Sequence, residues 1–310
     1  MEEPIARVEH LSHRYSVQWA IKDINLEIGQ KGIMGLLGSN GAGKSTMMNI
    51  ICGVLNQTEG TVYINGIDAR KNPVEAKKHI GFLPQKPPLY KDHNVDEYLT
   101  YCADLRLMDS RKIKEAVEVA KARCGISHFS KRLVKNLSGG YQQRLGIAQA
   151  IVHNPKFIVL DEPTNGLDPN QILEIRELIH DIGKDHAVLL STHILSEVDA
   201  ICESVKMIEH GNLIFSGTIK DFHNSVQSNN CIVKLENAPD ETTLAELPGV
   251  VKVKKLNEKT YRLQFGVKVP QRALVAEACV KKGWRLSEIV EERVSMDEIF
   301  ARLSGGKAVD

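Results

Sequence analysis

Nowhere does the sequence approach the run of about 18 apolar residues that a membrane-spanning helix needs, so no segment is expected to cross a bilayer. It has no C-x-x-C pair to bind metal or run dithiol chemistry. The six cysteines (52, 102, 124, 202, 231 and 279) are scattered and read as ordinary thiols of a reducing compartment. Net charge is nearly absent, at +1, which removes the electrostatic case for nucleic acid as the main partner. The Met-Glu-Glu-Pro start lacks both the basic opening and the apolar run of a signal peptide, and none is expected. Low-complexity stretches are missing too. What remains is an ordinary globular composition, 42% hydrophobic and 25% charged. A chain of 310 residues can hold one large domain and a smaller one.

Against that plain background stands a P-loop, Gly38-Ser39-Asn40-Gly41-Ala42-Gly43-Lys44-Ser45-Thr46. Its glycines let successive backbone N–H groups turn inward on phosphate oxygens, at a helix N-terminus whose dipole favours anions. The preceding buried strand, Ile33 to Leu37, and a helix from Lys44 to about Gly53 supply the context this motif needs. Four blocks follow in fixed order: Gln85, Leu-Ser-Gly-Gly at 137–140, Phe-Ile-Val-Leu-Asp-Glu-Pro at 157–163, and His193. In this set and order the chain resembles the nucleotide-binding subunit of an ABC transporter.

Periodicity gives the outline. Alternating segments at 5–10 and 21–28, and a short strand 61–64 before the Asn65-Gly66 turn, predict half-buried strands. Asn72-Pro73 predicts a helix start leading to a strand at 80–83, and Asn94-Val-Asp-Glu97 a capping box. A second amphipathic helix is expected at about 111–124. From 157 strands and helices alternate (157–160, 170–182, 187–191, 194–201, 204–208), which predicts a parallel sheet with helices on its faces. After residue 220 the composition shifts. Strands at 231–236, 250–256, 260–265 and 284–291, with helices near 240–246, 271–282 and 295–303, follow a βαββαβ order closed by a helix, which predicts a ferredoxin-like α+β module. The fold class is thus α/β, a P-loop NTPase with a mainly parallel sheet. The resemblance adds an antiparallel β subdomain and a helical subdomain. Boundaries are expected at 1–222 for the ATPase domain (helical insertion about 86–140), 223–230 for a linker and 231–305 for the accessory domain.

The P-loop motif makes Lys44 the partner of the β- and γ-phosphates and Ser45 a Mg²⁺ ligand, with Thr46 near the α-phosphate. Asp161 closes a buried strand at the sheet edge where α/β proteins bind ligands, and suits Mg²⁺. Glu162, next along that strand, should point elsewhere. The resemblance makes Glu162 the general base, Gln85 a contact to Mg²⁺ or the lytic water, and His193 a contact to the γ-phosphate and Glu162. It makes Asp168, in Gly-Leu-Asp-Pro, the loop that crosses to a partner subunit, and Tyr15 the ring stacked on adenine. Ser138, Gly139 and Gly140 open a second helix N-terminus with no phosphate of its own to serve. In ABC proteins this corner caps the ATP of the opposite subunit. Tyr141 departs from the family, in which many members carry glutamine there.

The resemblance further implies ATP and Mg²⁺ as cofactors and a homodimer or heterodimer of ATPase subunits. A separate multi-span permease is the expected partner, received just after Gln85 (Lys86 to Leu105), with the chain peripheral on the cytoplasmic face of a bacterial inner membrane. The tail resembles that of export-type (ABC-2-like) ATPases, including those with gliding-motility, drug- or copper-export partners. Lys252, Lys254 and Lys255 read as a solvated strand face. A soluble ABC ATPase acting on ribosomes or DNA is the alternative. Only about 90 residues separate Lys44 from Leu137, without sustained heptads, which disfavours the coiled-coil DNA members. A guanine-reading Asn-Lys-x-Asp is not found, which disfavours a GTPase.

Overall fold

Short, mainly apolar runs decide the centre of the main sheet. The computed structural model describes residues 3–226, 228–266, 272–292 and 294–305. The chain opens with β1 (Ala6–Tyr15), β2 (Gln18–Ile28) and the buried β3 (Gly32–Leu37). After the Gly-rich loop come α1 (Lys44–Ile51), β4 (Glu59–Ile64), β5 (Ile67–Asp68), α2 (Pro73–Lys78) and β6 (Ile80–Leu83). Three helices follow, α3 (Val95–Leu105), α4 (Ser110–Arg123) and α5 (Gly139–Ile151). Then the alternation sets in: β7 (Phe157–Asp161), α6 (Pro169–Gly183), β8 (Ala187–Ser191), α7 (Leu195–Ile201), β9 (Ser204–Glu209) and β10 (Asn212–Thr218). Every residue of β7 and β8 is buried, as strands covered on both faces must be.

The main sheet has the order β10-β9-β3-β8-β7-β6, parallel except for the β9–β10 hairpin. A second, antiparallel sheet runs β2-β1-β4-β5. One hydrophobic cluster joins its inner face (Val8, Leu11, Ile24, Leu26, Val62) to α1 and the central strands. The β1–β2 hairpin is longer than the alternation predicts. Register shifts between Val8 and Arg14 break the two-residue period, so the strands continue to Tyr15 and from Gln18. In the insertion, the expected capping box is present. Asn94 accepts from the Glu97 N–H at 3.0 Å, and the Glu97 carboxylate accepts from the Asn94 N–H at 2.9 Å. The buried Lys121 amine ties α4 to α3 by donating to Asp96, Glu118 and Ser130. Asn72, by contrast, makes no side-chain cap, and α2 relies on Pro73 at its first turn.

Contacts divide the chain into two compact units, Met1–Ile219 and Lys220–Asp310. Helix α8 (Ile219–Asn224) takes up the first two residues of the expected linker, and residue 227 of that linker lies outside the described residues. The second unit contains β11 (Asn230–Leu235), α9 (Glu241–Ala245), β12 (Val250–Lys255), β13 (Thr260–Phe265), α10 (Arg272–Lys281), β14 (Leu286–Glu291) and α11 (Met296–Leu303). Residue 271, the expected start of α10, also lies outside the described residues. The sheet is β12-β13-β11-β14 with all neighbours antiparallel, the split arrangement that the βαββαβ order predicts. Cys231, Val233 and Leu235 on β11 and Tyr261, Leu263 and Phe265 on β13 fill its core at period two. Lys252, Lys254 and Lys255 stand exposed on β12, an edge strand, where lysines discourage edge-to-edge pairing.

Candidate functional site

Strand β3 delivers the Gly-rich loop from between β8 and β9. Gly38 is required by close approach, since a Cβ there would lie 2.2 Å from the Ile208 carbonyl oxygen. Lys44 begins α1 and is buried. Its amine donates to the Gly38 and Ser39 carbonyls at 2.7 and 3.0 Å. Burial holds its pKa below the ordinary lysine value, against the opposing pull of the carboxylates of Glu162, Asp161 and Glu209. Ser39 gives both its donors to Glu209, the hydroxyl at 2.6 Å and the N–H at 3.2 Å. In the same turn Gly211 N–H donates to the Ala42 carbonyl at 3.0 Å. The β9–β10 turn therefore cradles the loop from behind, a support that no motif in the sequence marks.

A pocket of about 410 Å³ opens in front of the loop, within the size range of small-molecule sites. Its lining brings together Tyr15, Asn40, Gly41, Gly43, Lys44, Ser45, Thr46, Gln85 and Glu162 from the expected set. Gln18, Trp19 and Ala20 line it as well. Periodicity missed Trp19 because the bulged hairpin carries it beyond the alternating segments. Tyr15, at the hairpin end, lies with its hydroxyl 3.5 Å from Thr46 Oγ1.

Strand β7 ends at Asp161, so Glu162 is not the next strand residue that the sequence predicts. It adopts φ 52°, a left-handed conformation that costs a non-glycine residue roughly 1–3 kcal/mol and persists only where the surroundings fix it. The turn brings its carboxylate to the pocket wall, where His193 Nδ1–H donates to Oε2 at 2.5 Å. Asp161 is buried behind, and its Oδ1 has no hydrogen-bond partner. The orphaned Asp161 oxygen, with the Ser45 hydroxyl and the Gln85 amide on the pocket lining, is the oxygen donor chemistry that Mg²⁺ takes.

Ser138, Gly139 and Gly140 do not line this pocket. Ser138 is the exposed N-cap of α5 and its side chain caps nothing. Tyr141 packs its ring on Phe129 at 4.5 Å and near His128 at 5.8 Å, so the aromatic at this position joins a local cluster. Asp168 caps α6, accepting from the N–H groups of Asn170 and Gln171 at 3.0 Å each.

Comparison with known proteins follows the same division. Residues 21–165 match the family described as ABC transporter, and residues 217–304 the family described as ATP-binding protein DrrA1-3-like, C-terminal domain. The uncharacterized ABC transporter ATP-binding protein YxlF of Bacillus subtilis is 28% identical over 96% of this chain and 98% of its own length. The bacitracin transport ATP-binding protein BcrA of Bacillus licheniformis is 36% identical, covering 68% of each chain. Among solved structures, a bacterial ABC transporter cassette, MJ0796, determined as a dimer, has a TM-score of 0.62 at 25% identity. That match covers 69% of this chain and 98% of the other.

Proposed function

The chain belongs to the ABC transporter family as an ATP-binding, ATP-hydrolysing subunit, and from that membership we propose that its pocket binds ATP with Mg²⁺ and works only in a pair. The reading is carried by one observation: the P-loop, Gln85 and Glu162 share a pocket that the Ser138–Gly140 corner does not enter. Phosphates occupy the amides of Asn40 to Thr46, with the Lys44 amine leaving its own loop carbonyls for the β- and γ-phosphates. Gly38, Ser39 and Ala42 shape the loop from behind. Ser45, Gln85 and Asp161 would hold Mg²⁺, which neutralises charge building up on the transferred phosphoryl group. Tyr15, with Trp19, offers planar faces to adenine.

Glu162 takes the proton of the attacking water, and His193 orients its carboxylate through Nδ1. The corner at Ser138 to Gly140 presents free helix N–H groups to the γ-phosphate of a second subunit, and Asp168 lies on the loop facing that subunit. The solved cassette determined as a dimer supports a pair, and the head-to-tail orientation is part of the proposal. ATP binding then closes the pair and hydrolysis releases it.

The partner in transport is a separate membrane permease, the arrangement of ABC transporter ATP-binding subunits; among the described residues no helix is long and apolar enough to cross a membrane. Its contact lies after Gln85, where Tyr90 and Tyr101 are exposed. A neighbouring apolar groove is lined by Val54, Val74, Leu105 and Leu107. The bacitracin transport relative and the accessory tail support a transport role, which we read as export with the chain on the cytoplasmic face. They favour transport over action on ribosomes or DNA.

Glu162→Gln tests the chemistry. Hydrolysis should fall by about 10²–10⁴ while ATP binding survives and a dimer accumulates. Wild-type turnover in that variant would remove Glu162 from the base role.

A further inference from the structure

Glu197 belongs to none of the motifs, yet it is among the most deeply buried carboxylates in the first unit. It sits in the first turn of α7, with 1% of its surface exposed. Its Oε2 accepts two buried hydroxyls, from Thr164 at 3.0 Å and from Thr192 at 2.9 Å. Thr164 stands two residues after Glu162, and Thr192 immediately precedes His193. The Thr192 hydroxyl in turn accepts from the Ile194 N–H at 3.1 Å, so the chain is held on both sides of His193. The other oxygen, Oε1, makes no hydrogen bond and faces the Arg176 guanidinium at 3.6 Å. Arg176 lies on α6, the helix capped by Asp168.

A carboxylate buried this fully is unfavourable unless its partners compensate, and apolar packing would stabilise a core at least as well. The partners here are not scattered. Two of them sit in the two turns that carry the Glu162–His193 contact, and Glu162 itself holds a left-handed backbone that its surroundings must enforce. Neither Glu197 nor either threonine lines the nucleotide pocket.

We propose that Glu197 is a positioning residue for hydrolysis, fixing the spacing of Glu162 and His193 by gripping one hydroxyl beside each. Through Arg176 the same carboxylate links the pair to α6, the helix behind Asp168. The inference rests on the reading of Glu162 and His193 as the working pair. Because the grip lies outside the pocket, it acts on turnover and not on nucleotide affinity.

The test uses the full chain with steady-state hydrolysis and fluorescent-nucleotide titration run side by side. Glu197→Ala should lower kcat by about tenfold to a hundredfold, the effect of small misplacements of reacting groups. Its nucleotide Kd should stay near the wild-type value. Thr164→Val and Thr192→Val should each lower kcat, Thr164→Ser and Thr192→Ser should restore it, and adding Thr192→Val to Glu197→Ala should cost little more. Should Glu197→Ala fail to fold, the threonine series decides alone. Wild-type kcat in folded Glu197→Ala or in both valine variants overturns the proposal, as does an equal loss of affinity and turnover. Glu162→Gln separates the two levels. If it hydrolyses ATP normally, the pair reading fails and takes this inference with it. If it is inactive while Glu197→Ala runs at full speed, only this inference fails.

Discussion

Two buried side chains show how single residues set the behaviour of the site and its supports. Glu209 holds Ser39 by two donors, and through it the shape of the phosphate loop. Glu209→Ala should therefore weaken ATP binding by roughly tenfold, the worth of a hydrogen bond to a charged group. Glu209→Gln should recover part of it, since its amide can serve both the N–H and the hydroxyl. Isothermal titration with ATP checks this. His153 gives a pH signature. Burial, aided by the Arg106 charge and opposed by the hydrogen bond to the Ile80 carbonyl, lowers its pKa from about 6.5 to about 4. The folded state thus binds this proton less readily than the unfolded chain. The stability it contributes is complete above pH 6.5 and is lost as pH falls toward 4. Between pH 7 and pH 5 the loss is about 2 kcal/mol from this group. Denaturant midpoints at the two pH values should show a smaller drop in His153→Gln than in the wild type.

At the scale of elements, α5 is fastened to β6. Strand β6 is the edge of the main sheet, and its outward carbonyls need partners. Gln149 donates to the Phe82 carbonyl at 2.7 Å, and His153 meets that of Ile80 at 3.0 Å. The helix that begins at the Ser138 corner is thereby joined to the strand that leads to Gln85. The approach is close: a Cβ on Gly81 would lie 2.0 Å from the Ala150 carbonyl oxygen. Gly81→Ala should destabilise the fold by roughly 2–3 kcal/mol, lowering Tm by about 5–10 °C in a thermal melt. An unchanged Tm would mean that α5 can shift freely on β6. This contact was not legible in the sequence, where Gly81 is one glycine within a four-residue strand. The strand itself was, because Ile80 to Leu83 is apolar and follows a proline-started helix.

At the scale of the molecule, the proposed pairing gives the Ser138 corner a second copy to serve. Lys44→Ala and Ser138→Arg should each abolish hydrolysis alone, whereas a mixture should recover part of it, since one intact loop can then face one intact corner. No recovery on mixing would count against the pairing. Contact with the permease can be mapped by single cysteines at 88–98. Of the native cysteines only Cys102 is partly exposed, so background crosslinking is limited. The sequence by itself determined the order of elements along the chain and the phosphate loop, because local periodicity and backbone chemistry are written in consecutive residues, while the blocks that accompany the loop were legible through their resemblance to the ABC family. Only the tertiary structure decided the rest: that Glu162 turns out of its strand, that Trp19 reaches the pocket, and that Glu209 and Glu197 hold the loops. Those groups meet across 30 or more residues, as Glu197 does with Thr164 and Glu209 with Ser39. A lone buried carboxylate carries no spacing that marks its partner before the chain folds.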